Sequence, residues 1–233
     1  MPLYPPRCNH WLLVTSVAIL VLGPTSTLAE ERAVVVGNLE GTKLAFPANT
    51  VRNVEYDNDP GWGEVGRPTQ RTFESGIRSL GFRLQPPHFA LLKNSDGGTA
   101  SAVSITVTAN SYYGKGPFLT RRLEVINRDP SYLYSEAKEK FASLRHFELA
   151  FEPGTPQSDM RNIDVFVDTS RDGDVTTFIE CGNTRGERSL CSHDFLVPSM
   201  KTKFTAMYRR AVLSNWREME VQVVRRIREL QVD

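Results

Sequence analysis

Apolar residues recur at every second position over several short stretches of this chain, and at helical spacing over a few others. Val103, Ile105, Val107 and Ala109 alternate with Ser104, Thr106 and Thr108, the pattern of a strand with one face buried. Phe147, Leu149 and Phe151 repeat it. Residues 163–167 and 175–179 flank Arg171-Asp172-Gly173-Asp174, so they read as a hairpin whose Asp-Gly supplies the positive φ of a tight turn. Cys191 opens a further apolar segment that rises to Phe195 and Val197. Shorter runs at 33–36, 43–46, 80–84 and 89–92 are set off by Gly37, Gly41, Pro47 and the Pro86-Pro87 pair, and read as strands too.

Two internal segments, 118–127 and 132–144, read as helices, held apart by Asp129-Pro130, which a continuous helix cannot accommodate. The clearest helix is C-terminal. Val212, Trp216, Met219, Val223, Ile227 and Leu230 recur at three- and four-residue intervals and fall within a stripe about 80° wide. Arg210, Arg217, Arg225 and Arg228 project away from it. Packing that stripe on a sheet is worth roughly 1.5–3 kcal/mol per buried side chain. The pattern thus predicts an α+β fold: antiparallel sheet with hairpins, helices packed on one face, and a long amphipathic C-terminal helix. Residues 30–233 are expected to form one domain, with two sub-lobes meeting near 115–145 as the alternative.

The N-terminus changes the picture. Arg7, an apolar run from 11 to 22, Gly23-Pro24 and then Thr27-Leu28-Ala29 before Glu30-Glu31 have the layout of a cleavable signal peptide, 1–29. The run is too short to cross a bilayer, which takes about 20 residues, so no membrane span is expected after cleavage. The expected location is the periplasm. Of 28 basic and 27 acidic residues, only Arg7 precedes the cleavage site, so the mature chain is neutral. Neither nucleic acid nor an anionic membrane is an expected partner.

Cys8 leaves with the signal peptide, and Cys181 and Cys191 remain. An even pair in an exported chain is most simply a disulfide. Two thiols without a second ligand cluster make a poor metal site, and nine intervening residues are not a redox CxxC. Gly61-Trp62-Gly63-Glu64-Val65-Gly66 spells GxGxxG, but it follows Asp59-Pro60 and precedes Arg67-Pro68. It therefore lacks the strand and helix that a dinucleotide site requires. Asp57, Asp59 and Glu64, or Asp168, Asp172 and Asp174, lack calcium-loop spacing and read as turn residues. Ser192-His193-Asp194 contains the letters of a catalytic triad, yet neighbours on a strand point to opposite faces. No GxSxG, HExxH or P-loop occurs, so the chain reads as a non-enzyme without a cofactor. The loop carrying Tyr56, Asp57, Asp59, Trp62 and Glu64 sets aromatics beside acids, as a protein-binding loop does.

The order Val175-Thr176-Thr177-Phe178-Ile179-Glu180-Cys181, Cys191-Ser192-His193-Asp194-Phe195, Tyr208-Arg209, Leu213 and Trp216-Arg217 resembles small periplasmic proteins encoded beside toxin effectors of the bacterial type VI secretion system, regarded as immunity proteins. The likeness runs from about 147 to 230, with a looser echo in Val54-Glu55-Tyr56-Asp57, Phe73-Glu74 and Gly81-Phe82. It implies a periplasmic binder of α+β type whose partner is a protein toxin. An envelope ligand-binding or structural protein, and an envelope hydrolase, are the alternatives. Protein isolated from the envelope is expected to begin at Glu30 and to contain no free thiol, which N-terminal sequencing and thiol titration check.

Overall fold

The computed structural model describes residues 33–60, 70–97, 99–113, 116–154, 163–182 and 188–233; the signal segment lies outside them. β1 (Val34–Leu39) and β2 (Thr42–Pro47) form a separate hairpin. Consecutive positive φ angles at Glu40 and Gly41, 52° and 93°, make its tight turn. β3 (Val51–Tyr56), β4 (Ile77–Gln85), β5 (Ala90–Leu91) and β6 (Val103–Ala109) follow. Next come a helical turn α1 (Asn110–Tyr113), helix α2 (Phe118–Arg128), β7 (Tyr132–Glu136), β8 (Arg145–Phe151), β9 (Ile163–Thr169), β10 (Val175–Gly182) and β11 (Leu190–Val197). β12 (Thr202–Arg209), a 3-10 segment over Arg210–Asn215 and helix α3 (Trp216–Glu229) complete the chain.

Ten strands make one antiparallel sheet in the order β3-β4-β6-β12-β11-β10-β9-β8-β7, with β5 on β4. From β7 to β12 each strand lies beside its sequence neighbour. β12 then pairs with β6, Thr202 opposite Ala109 through Met207 opposite Ser104, and so joins that meander to the N-terminal strands. Sheet dominates, and among the described residues only α2 and α3 are α-helices of more than one turn.

The two helices cover opposite faces, not one as expected. On β9, Phe166 belongs to the core beneath α3, whereas Val165 and Val167 belong to the core beneath α2, as the two-residue pleat requires. α3 buries Trp216, Met219, Val223 and Ile227 against Ile179, Phe195, Phe204 and Tyr208. Val212, the first residue of the stripe, is buried in the preceding 3-10 segment. The β1–β2 hairpin backs the end of this helix: Ala45 N–H donates to Leu230 O at 3.0 Å, and Val232 N–H to Lys43 O at 3.1 Å. α2 packs Leu119 and Leu123 on Phe147, Val165, Val175 and Phe178.

The strands expected at 103–109, around 147–151 and in the 163–179 hairpin are present, as is the helix from Phe118. The helix expected at 132–144 is not. Tyr132 and Tyr134 instead lie in β7, their rings 4.8 Å from Phe151 and 5.0 Å from Phe147 on β8. Cross-strand aromatic pairs of this kind outweigh the helix propensity of the Lys- and Glu-rich stretch after them. Positive φ at Ala142 and Ser143, 48° and 72°, would interrupt any helix there. β12 is absent from the predicted elements; its buried positions include Thr202 and Ala206, too weakly apolar to mark the alternation.

Cys181 and Cys191 stand opposite each other on β10 and β11 and form a disulfide, both fully buried under the α3 face. The link spans ten positions of sequence. Alanine at both is expected to cost about 2–3 kcal/mol, read as a lower urea midpoint.

Candidate functional site

The acids after β3 are committed to local structure. Asp59 Oδ2 accepts the Tyr56 N–H at 2.7 Å and its other oxygen pairs with Arg71, an Asx-type closure of the turn. Asp57 accepts the Tyr112 hydroxyl at 3.0 Å. Tyr56, expected as an exposed contact residue, is buried. Its hydroxyl donates to Val36 O at 2.8 Å, Arg71 lies over its ring, and burial raises its phenol above the ordinary range. It pins the β1–β2 hairpin. Trp62 and Glu64 lie outside the described residues. Asp168 reaches Arg217 at 3.3 Å, and among the described residues no three His, Cys, Asp or Glu side chains are grouped to hold a metal ion.

Ser192, His193 and Asp194 are successive residues of β11, and the pleat sends them to alternate faces. His193 is fully buried beneath α3. Its Nε2 is 2.9 Å from Glu220 Oε1 and its Nδ1 3.1 Å from the Tyr208 hydroxyl. Thr177 donates to the same glutamate oxygen at 2.8 Å. A carboxylate only accepts, so the neutral tautomer protonated on Nε2 satisfies both ring contacts, with Tyr208 donating to Nδ1. Burial, reinforced by the Glu220 charge, pushes the Tyr208 phenol far up, which keeps it a donor. This network ties α3 to β10, β11 and β12 at a point where unpaired polar groups would be costly. It contains no serine or cysteine nucleophile. His146 stacks on Phe166 at 4.6 Å, three strands away from His193, and His88 is exposed beyond β4.

Asp194 faces the other way, into a charged cluster that seats α2. Arg122 pairs with Asp194 and, at 2.6 Å, with Glu180 Oε2, its guanidinium over the Phe178 ring. Lys203 Nζ lies 3.7 Å from Asp194. Past α2 this face turns small and polar across β4, β6, β12 and β11: Ser79, Gly81, Ser104, Thr106, Thr205 and Ser192 are exposed or half-exposed. Leu190 and Met207 interrupt it, 54% and 50% exposed.

Among the described residues, two surface hollows stand out. One, of about 580 Å³, runs between α3 and the end of β11, with Val197, Val221 and Val224 inside and Glu220, Arg225 and Arg228 around it. The other, of about 410 Å³, lies at the disulfide end of the sheet and is lined by Ala100, Ser101, Arg188, Arg209, Ala211 and Val212. Neither was legible in the sequence, because each is assembled from residues far apart in the chain.

No protein-family model matches this chain, and no curated protein matches it by sequence. Among solved structures it is similar to Smlt3025, an immunity protein of the Stenotrophomonas maltophilia type IV secretion system. The TM-score is 0.57 at 16% identity, over 86% of this chain and 94% of that one. That is a likeness of fold. The iron-regulated outer membrane lipoprotein FrpD of Neisseria meningitidis, with a TM-score of 0.46 and 10% identity over 86% of this chain and 93% of that one, is too distant to carry an argument. The chain therefore shares the fold of that solved protein, which belongs to a type IV and not a type VI system.

Glu220→Ala is expected to strand the His193 ring and the Thr177 hydroxyl and to cost about 1–3 kcal/mol. Ser192→Ala, one residue from the histidine but on the open face, is expected to change stability by less than about 0.5 kcal/mol. Chemical denaturation of both variants at neutral pH makes the comparison.

Proposed function

We propose that this chain is an exported immunity protein that binds a protein toxin in the periplasm and blocks it by covering its surface. The observation that carries the reading is the fold, shared along nearly the whole length of a solved immunity protein. The layout of residues 1–29 and a disulfide buried between β10 and β11 fit an oxidising compartment. Inhibition of this kind needs no chemistry from the inhibitor, only an area of about 800 Å² on each partner with good complementarity. A rigid sheet face with little long side-chain freedom to lose is suited to it, since fewer rotamers must be ordered on binding. The histidine that drew attention in the sequence is spent on holding α3 and is closed to solvent.

The toxin arrives, on this reading, from a competing cell through a contact-dependent secretion system. The sequence resemblance points to the type VI class, and the binding task is the same for either class. A small-ligand role would call for a deep pocket with convergent polar groups; the two hollows described above, lined by described residues, are open and mainly apolar.

Competition on a solid surface tests the proposal. A strain lacking the gene is expected to fall at least tenfold against its toxin-bearing sibling. Restoration should follow from the exported protein and not from a version without residues 1–29. Equal survival of the deletion strain would end the immunity reading.

A further inference from the structure

We infer that the partner docks on the disulfide-tied end of the open sheet face, and that it brings an acidic segment carrying apolar side chains. The inference deepens the toxin-binding reading and relies on it for the identity of the partner, but not for the chemistry of the surface. Leu190 opposes Arg209, and Ser192 opposes Met207, across the β11–β12 ladder. Leu190 and Met207 therefore stand diagonally adjacent on the part of the α2 face that α2 leaves open, both about half exposed. Two large apolar side chains on an otherwise Ser/Thr-rich surface are what the centre of a protein interface looks like.

Charge selects the occupant. Several arginines of this fold are matched to acids: Arg71 to Asp59, Arg122 to Asp194 and Glu180, Arg145 to Glu136, Arg210 to Asp164. Arg188 and Arg209 have no acidic partner among the described residues. The Arg209 guanidinium donates to the Arg188 carbonyl at 2.6 Å, and among the described residues no carboxylate lines the hollow that these two arginines border. A carboxylate entering there would meet two guanidinium groups and could accept from either in the bidentate manner arginine favours. The groove beside α3 shows no such preference, because Glu220 and Glu229 already line it and Glu229 is paired with Arg225 and Arg226.

The platform is also stiff. Cys191 follows Leu190 directly and is bonded to Cys181, and Arg210 N–H donates to Ser189 O at 2.8 Å. Backbone fixed in this way has little freedom left to lose when a partner binds.

The test uses the isotope-labelled full-length exported protein as purified and two synthetic ten-residue peptides, one of alternating glutamate and leucine and one of alternating lysine and leucine. Amide shifts are expected at 188–192 and 207–209 with the acidic peptide, fading as salt is raised, and not with the basic one. Arg188→Glu with Arg209→Glu should weaken the acidic peptide at least tenfold and admit the basic one. Val221→Asp, in the groove beside α3, should leave both results unchanged. Shifts centred on that groove, equal response to both peptides, or no response to either would overturn the inference. In the competition assay the paired charge reversal should lose protection while Val221→Asp keeps it. Full protection by the charge-reversed protein, where deletion is lethal, would overturn the docking assignment. A deletion strain that survives, with acidic-peptide binding intact, would instead remove the toxin reading and leave the surface standing.

Discussion

The pairing of β12 with β6 is the constraint on which the architecture rests. β7 to β11 could be laid down in sequence order, and β3, β4 and β6 form a second antiparallel set. Only β12 has a partner in each, β11 along its whole length and β6 from Thr202 to Met207. The ladder brings together residues about a hundred positions apart, so the chain closes a large loop before the backbone bonds repay it. Once formed, it places Phe204, Ala206 and Tyr208 under α3 and leaves Lys203, Thr205 and Met207 on the other side.

That division gives the two faces different work. Beneath α3 the apolar core is crossed by the polar network of His193 with Tyr208 and Glu220, next to the buried disulfide. Both ring nitrogens of His193 have a partner there, which favours one register of α3. On the opposite face α2 covers only the β8–β10 half, seated by Arg122 on Asp194 and Glu180. The remainder is a broad polar surface backed by a rigid core, and its few exposed apolar residues lie at the end where the disulfide ties the strands.

The residues that end β3 show what composition alone leaves open. Tyr56 next to Asp57 and Asp59 reads as a recognition loop, since exposed aromatics beside acids are typical of one. The same residues serve a turn equally well: Asp59 caps the Tyr56 amide, and the tyrosine ring drops inward to hold the β1–β2 hairpin. Direction of a side chain out of a loop has no period in the sequence, so nothing in the letters distinguishes the two.

What the sequence determined by itself is whatever depends on neighbours a few positions apart: the alternation of β6 and β8, the Asp-Gly hairpin between β9 and β10, the stripe of α3, and the opposed faces of His193 and Asp194. The disulfide was legible because only two cysteines remain past residue 29. Tertiary structure decided the rest. The segment after Tyr132 became a strand because two phenylalanines of β8 stand across from its tyrosines. β12 became the centre of the sheet though half its buried positions are threonine or alanine. The helices went to opposite faces because that depends on which strands they meet, and the arginine-lined hollow exists only where residues near 100, 188 and 210 are brought together. Local periodicity is fixed by bond geometry along the chain, whereas burial and charge pairing depend on partners that folding alone supplies.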